Sequence, residues 1–294
     1  AVNCSFDNPY TQPKFLRKTD YIFVWNDRMA REVGELHGYA PERISVVGCL
    51  KFDHYFRDVR EGRLPGREEF LSSKGLDPQK KTVLFAAPTP STWRKYRSEM
   101  METVVRLKRE KLLDGDPNIL VRLHPFEGWE DYGALADIPG FAIERAGTPR
   151  PDYANTAQAK VELTLKDLIN QTATFAYCDL AMNYSSTTLL EACIFDKPVV
   201  SIGWPELARM QFETEVPRAL LASGAARLAS SPNEMRALVN QYLSHPELDR
   251  EQRLRVVREY VQFTDGRTAE RTAEKISELA ATRAPFQSME VRLP

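Results

Sequence analysis

Short β-rich apolar runs alternate with amphipathic helical stretches along almost the whole chain, and few architectures accommodate that rhythm. The runs lie at 20–25, 43–48, 82–87, 118–123, 141–144, 179–183, 198–202 and 226–229. Several are apolar on both faces, as expected of parallel strands covered by helices on each side. Between them, segments 27–37, 96–113, 165–178, 186–195 and 233–243 space Leu, Val, Ile and Met at helical intervals. Strand and helix in alternation predict an α/β fold built on a doubly wound, Rossmann-like parallel sheet.

The runs are unevenly distributed. Those from 82 to 229 make a complete Rossmann-type sheet, whereas only two precede a charged interval at 57–81 that carries Gly66, Gly75 and two prolines. The expected partition is therefore 1–60, a remnant of a first α/β domain with its linker; 75–232, the Rossmann-like domain; and 233–294, a helical tail broken near Pro246 and Gly266. Two strands are too few for an independent domain. They read as the end of a domain whose beginning is missing or sits on a separate chain, or else as an appendage packed on the larger domain.

Composition removes several functions from consideration. The 40 basic and 41 acidic side chains give a formal charge of −1, which argues against a dedicated nucleic-acid binder. No apolar run approaches the ~18 residues of a membrane span. Cys4, Cys49, Cys178 and Cys193 show no CxxC spacing and no paired His motif, so they read as free thiols in a reducing compartment. No metal site is expected from them. The glycine patterns of dinucleotide and Walker sites are missing, and Ser185 is not in a GxSxG elbow. No cofactor is expected.

Three segments can carry chemistry. In NYSSTTLLEACIFDKPVVSI (183–202) a strand ends, hydroxyls follow and a helix begins near Ser186. Free amides and the dipole at such a point suit a phosphate, and ligands of open α/β sheets sit outside the carboxyl ends of strands. Thr187 and Glu191 lie one turn apart on one helix face, where the carboxylate can accept from sugar hydroxyls. The same spacing also fits an N-capped helix with a solvated Glu191. The second segment, RLHP (122–125), puts Arg122 and His124 on one side of a strand end. A guanidinium fork and an imidazole there suit phosphate recognition, although a His bonded to a backbone carbonyl fits equally. In the third, DGRTAER (265–271), Asp265-Gly266 precedes a helix, either near a ligand or as a plain junction. The loop PTPSTWRKY (88–96) adds hydroxyls and cations after another strand.

Taken in order with VVGCLKFD (46–53), these segments resemble the GT-B class of glycosyltransferases. More narrowly they resemble bacterial surface-carbohydrate enzymes related to CDP-glycerol glycerophosphotransferases and UDP-N-acetylglucosamine 2-epimerase-like proteins. The resemblance implies that 75–232 binds a nucleotide-activated sugar or polyol donor, without a metal. Ser185, Ser186 and Thr187 would hold the diphosphate, Glu191 the ribose, and Asp265 would lie near the donor. His124 and Arg122 would face the phosphates as the catalytic pair. A glycan or lipid-linked acceptor is implied, with work in the cytoplasm or at the inner face of the cell membrane. An epimerase-like reaction and a non-catalytic nucleotide-sugar-binding subunit remain the alternatives. Cys49-Leu50 departs from the small residue and Pro frequent in that family.

Overall fold

The structure is a computed structural model that describes residues 19–88, 90–124, 137–145, 147–149, 161–184, 186–204 and 212–282, together with Pro9 and Leu135; the side chains of 90–98, 148, 149, 161 and 282 are excepted. The chain opens with β1 (Ile22–Val24), α1 (Asp27–His37) and β2 (Ile44–Val46), and the two strands pair in parallel with Ile22 opposite Ile44. Helix α1 starts where the Asn26 side chain accepts from the Met29 N–H, and it ends at Gly38 in the left-handed region. Two short helices follow, α2 (Asp53–Arg60) and α3 (Arg67–Ser72). They occupy much of the interval that the sequence marks as an interruption. Their apolar faces, carrying Tyr55 on α2 and Phe70 and Leu71 on α3, are buried among charged neighbours that hide the periodicity.

The large sheet then begins with β3 (Thr82–Ala86), α4 (Pro90–Arg109), β4 (Asn118–Leu123) and β5 (Phe141–Arg145). A two-residue antiparallel pair, β6 (Thr148–Pro149) with β7 (Val161–Glu162), leads to α5 (Leu165–Tyr177). Next come β8 (Leu180–Asn183), α6 (Thr188–Ile194), β9 (Val199–Ile202), α7 (Glu215–Ala222) and β10 (Arg227–Ala229). The chain continues through α8 (Pro232–Ser244) and α9 (Arg250–Val256), which passes into a π-helical turn at Val257–Val261, and then α10 (Thr268–Thr282).

All the expected strands are present, and the six-stranded sheet is parallel throughout. Its order is β5-β4-β3-β8-β9-β10. In chain order among these six, that is 3-2-1-4-5-6, the doubly wound Rossmann order, with its reversal between β3 and β8. Apolar clusters cover both faces of the sheet. One face packs Val83, Phe85 and Val121 against α4 and α8. The other packs Leu84, Leu120 and Ala181 against α5, α6 and α7, and against Trp25, Phe52 and Tyr55 from the N-terminal segment.

Two of the sequence segments lock together. The Asp53 carboxylate accepts from the backbone N–H groups of Thr268 (3.1 Å) and Ala269 (3.0 Å), capping α10. Arg271 returns a bond to the Val47 carbonyl at 2.8 Å. Gly48 sits between them at φ 102°, where a Cβ would fall 2.6 Å from the Thr268 hydroxyl oxygen. The helix start after Asp265 is thus capped by the chain's own carboxylate. Asp53→Ala is expected to cost about 1–2 kcal/mol of stability, read as a lower urea midpoint at unchanged slope; a midpoint equal to wild type would show that the cap is idle.

Candidate functional site

The carboxyl ends of β3, β4 and β8 meet at the point where the strand order reverses, and this crevice collects most of the residues singled out above. Leu123 and Asn183 end strands on either side of β3 and lie on this common edge. The turn after β8 is organised by buried Asn183: its carbonyl oxygen accepts from Ser201 Oγ at 2.9 Å and its amide donates to Thr188 Oγ1 at 3.3 Å. Helix α6 begins at Thr188, two residues later than the spacing predicts, with Ser186 Oγ accepting from the Thr188 N–H at 3.4 Å. Ser185 lies outside the described residues, as does Thr89 of the loop after β3, whose following side chains are likewise not described.

Glu191 is not solvated. Its carboxylate is buried and both oxygens are occupied: Oε1 accepts from Lys51 Nζ at 2.7 Å, and Oε2 from the Tyr55 hydroxyl at 2.7 Å and Gln171 Nε2 at 3.0 Å. Lys51 also donates to Thr187 Oγ1 at 3.2 Å, so the shared helix face of Thr187 and Glu191 is met by one ammonium. Burial works against the charge on Glu191, but Lys51 and the hydroxyl and amide donors outweigh it and hold the carboxyl below its ordinary range. Burial and the nearby Glu191 charge push the Tyr55 phenol well up, so it stays a neutral donor.

Arg122 is equally committed. It lies on the α5 face of β4, buried, and donates to Glu144 Oε1 at 2.7 Å from the position directly opposite on β5. Glu144 also accepts from Lys74 (2.6 Å), Asn170 (3.0 Å) and Thr174 (2.8 Å). Burial alone would raise its pKa; the two cations and the hydrogen bonds win and bring it down to about 2. His124, just past the strand end, is held below the ordinary imidazole range, first by burial and then by the Lys51 cation. It is therefore neutral at pH 7. Asp265 is exposed and forms a two-pronged ion pair with Arg271, 2.7 and 2.9 Å. None of its hydrogen bonds among the described residues joins it to the Lys51–Glu191 network. Lys51, Tyr55, Gln171 and Glu144 were not picked out as site residues in the sequence; the one available signal was that Lys51 falls inside the VVGCLKFD passage.

No family model and no curated protein matches the sequence. Solved structures do match in shape. The wall teichoic acid polymerase TagF, in a crystal soaked with CDPG, superposes with a TM-score of 0.57 at 13% identity, over 89% of this chain and 57% of that one. The S. aureus MnaA–UDP structure gives 0.57 at 15%, over 90% and 61%. The UDP-GlcNAc 2-epimerase from Neisseria meningitidis bound to UDP-GlcNAc gives 0.59 at 12%, over 88% and 62%. The fold is GT-B-like. The six-stranded unit is a Rossmann-like half-domain of that type, as the motif order implied, and the chain spans about three fifths of each neighbour's length.

Replacing Glu144 by Gln should cost about 3 kcal/mol at pH 7, the worth of a carboxyl whose pKa falls from 4.5 to about 2 on folding. A group depressed in this way stabilises above its unfolded pKa and loses that contribution as pH falls. The gap between wild type and the variant should therefore close between pH 4.5 and 2; chemical denaturation across that range checks it, and a pH-independent gap would assign the cost to packing.

Proposed function

We propose that this chain is the donor-binding half of a GT-B enzyme that transfers a sugar or a polyol phosphate from a nucleotide donor to a surface glycan. The observation that carries this reading is the strand-order reversal at β3 and β8, with Ser186, Thr187 and His124 at its carboxyl edge. Open α/β sheets bind their ligands at that place. The neighbours whose titles name CDPG, UDP and UDP-GlcNAc support a nucleotide-activated ligand for the same fold.

In this reading the backbone and hydroxyls of Ser185, Ser186 and Thr187 receive the donor's phosphates. His124, neutral, meets the leaving phosphate as a hydrogen-bonding group rather than as a charge. Stabilisation of that kind needs no metal. Arg122 contributes through Glu144, setting the positive background of the crevice, and Asp265 helps to hold the segment beside it. The acceptor is a glycan or a lipid-linked glycan, reached at the cytoplasmic face of a membrane, and a further N-terminal α/β region would supply most of its contacts. Among the described residues no helix is long and apolar enough to cross a membrane.

A second reading is a C2 epimerisation of a UDP-sugar, supported by epimerase neighbours that superpose as well as the polymerase does. Calorimetry with CDP and UDP on wild type and Ser186→Trp tests the site: wild type should bind one of them, and the bulky side chain should abolish binding. Equal affinities would reduce the hydroxyl run to a cap. With CDP-glycerol or UDP-GlcNAc as substrate, His124→Ala should lower turnover on the order of a hundred-fold while leaving donor affinity nearly unchanged. Nucleotide release that requires an acceptor supports transfer; a C2 epimer formed without one supports the second reading.

A further inference from the structure

Resting on the donor-site reading above, we infer that Lys51 is the cation that meets the donor's phosphate, and that Glu191 positions Lys51 instead of binding ribose. Lys51 reaches the crevice from outside the six-stranded unit, on the passage between β2 and α2, and bonds to two groups of the β8–α6 segment, Thr187 and Glu191. It also lies near enough to His124, beyond β4, to depress that imidazole. Its ammonium is held at the start of the segment that follows β8, on the side of β3 where the strand order reverses.

Exposure decides what solvent sees there. Five charged side chains make up the two networks: Lys51 and Glu191 in one, Arg122, Lys74 and Glu144 in the other. Lys51 is 47% exposed, while Lys74 is 14%, Arg122 9%, Glu144 8% and Glu191 1% exposed. The charge these networks present to solvent is thus positive. An ammonium has three N–H donors. Among the described residues Glu191 and Thr187 take two, and the third can meet an oxygen arriving from the crevice. A phosphate is the part of a nucleotide that such a group recognises.

Glu191 is unsuited to the ribose. Its carboxylate has three donors already and almost no contact with solvent. Tyr55 and Gln171 also bond each other at 2.8 Å, so the carboxylate rests in a closed triangle that fixes the one oxygen facing Lys51. A ribose hydroxyl would have to break that triangle; a phosphate on Lys51 would leave it intact.

The test is calorimetric titration of the full chain with UDP, CDP, uridine and cytidine. Lys51→Met and Lys51→Gln should each weaken the diphosphate that wild type binds by roughly ten- to a hundred-fold, the usual effect of losing a charged hydrogen bond. Uridine or cytidine should bind as to wild type, and Lys51→Arg should recover most of the diphosphate affinity. Glu191→Gln should weaken the diphosphate less than Lys51→Met does. The double variant should be no weaker than Lys51→Met, because Glu191 acts through Lys51. Thermal melting of each variant separates these effects from loss of fold. Unchanged diphosphate binding by both neutral Lys51 variants would overturn the assignment while leaving the donor site standing. Nucleoside binding lost in Glu191→Gln would return Glu191 to the ribose. Failure of wild type to bind either diphosphate would overturn the donor reading itself, and the assignment with it.

Discussion

Parallel strands must be covered on both faces, and here the cover of one face is shared with the segment that carries Lys51. Strand β3 is the extreme case: no residue from Thr82 to Ala86 is more than 6% exposed. On one side α4 and α8 suffice. On the other, α5 and α6 leave room that Trp25, Phe52 and Tyr55 fill, within the same apolar cluster as Leu84 and Leu120. Burying aromatic side chains of this size contributes roughly 1.5–3 kcal/mol each. Apolar packing therefore sets where residues 51–55 lie, and the polar contacts at the crevice follow from that placement. Asp53 faces α10 while Lys51 and Tyr55 face Glu191, so one turn of chain ties the small unit both to the large sheet and to the last helix.

Two buried carboxylates govern the electrostatics of the crevice. Removing a carboxylate from water costs several kcal/mol unless cations and donors compensate it. Glu144 obtains this from Arg122, Lys74, Asn170 and Thr174, and Glu191 from Lys51, Tyr55 and Gln171. Such pairs add little net stability over apolar packing, but they hold their members in one arrangement. Burial first, and then Lys51, account for His124: an imidazole that is partly desolvated near that ammonium has two reasons to remain neutral.

The fold was legible because coverage on both faces writes itself into the sequence as apolar runs. Each strand of the two parallel sheets was found within a residue or two, and α1 matched at both ends, whereas the two-residue strands β6 and β7 are too short to show alternation and were not foreseen. The missed helices share a cause. Helices α2, α3 and α7 span only two turns or so, and their buried residues stand among charged ones or around Pro217, so periodicity has too few repeats to show. At the carboxyl edge, reading by position brought out the strand and helix ends but not the partners of their charged residues. Arg122 and Glu191 looked available because they are charged and sit at the right edge. Their partners lie elsewhere in the chain, Glu144 at 22 positions and Lys51 at 140, and no local pattern reports such pairings.

That limit bears on how far likeness to other proteins reaches. At 12–15% identity the shared quantity is the strand order and its reversal, which places a crevice without naming what lines it. A glutamate one turn into the helix after β8 can serve a ligand only if its carboxylate can be reached. In this chain Tyr55 and Gln171 close it off, and Lys51, from another part of the fold, stands between it and solvent. The carboxylate's influence on its surroundings then passes through the ammonium, and the exposed charge at this position is opposite in sign to that of the residue the helix position would nominate.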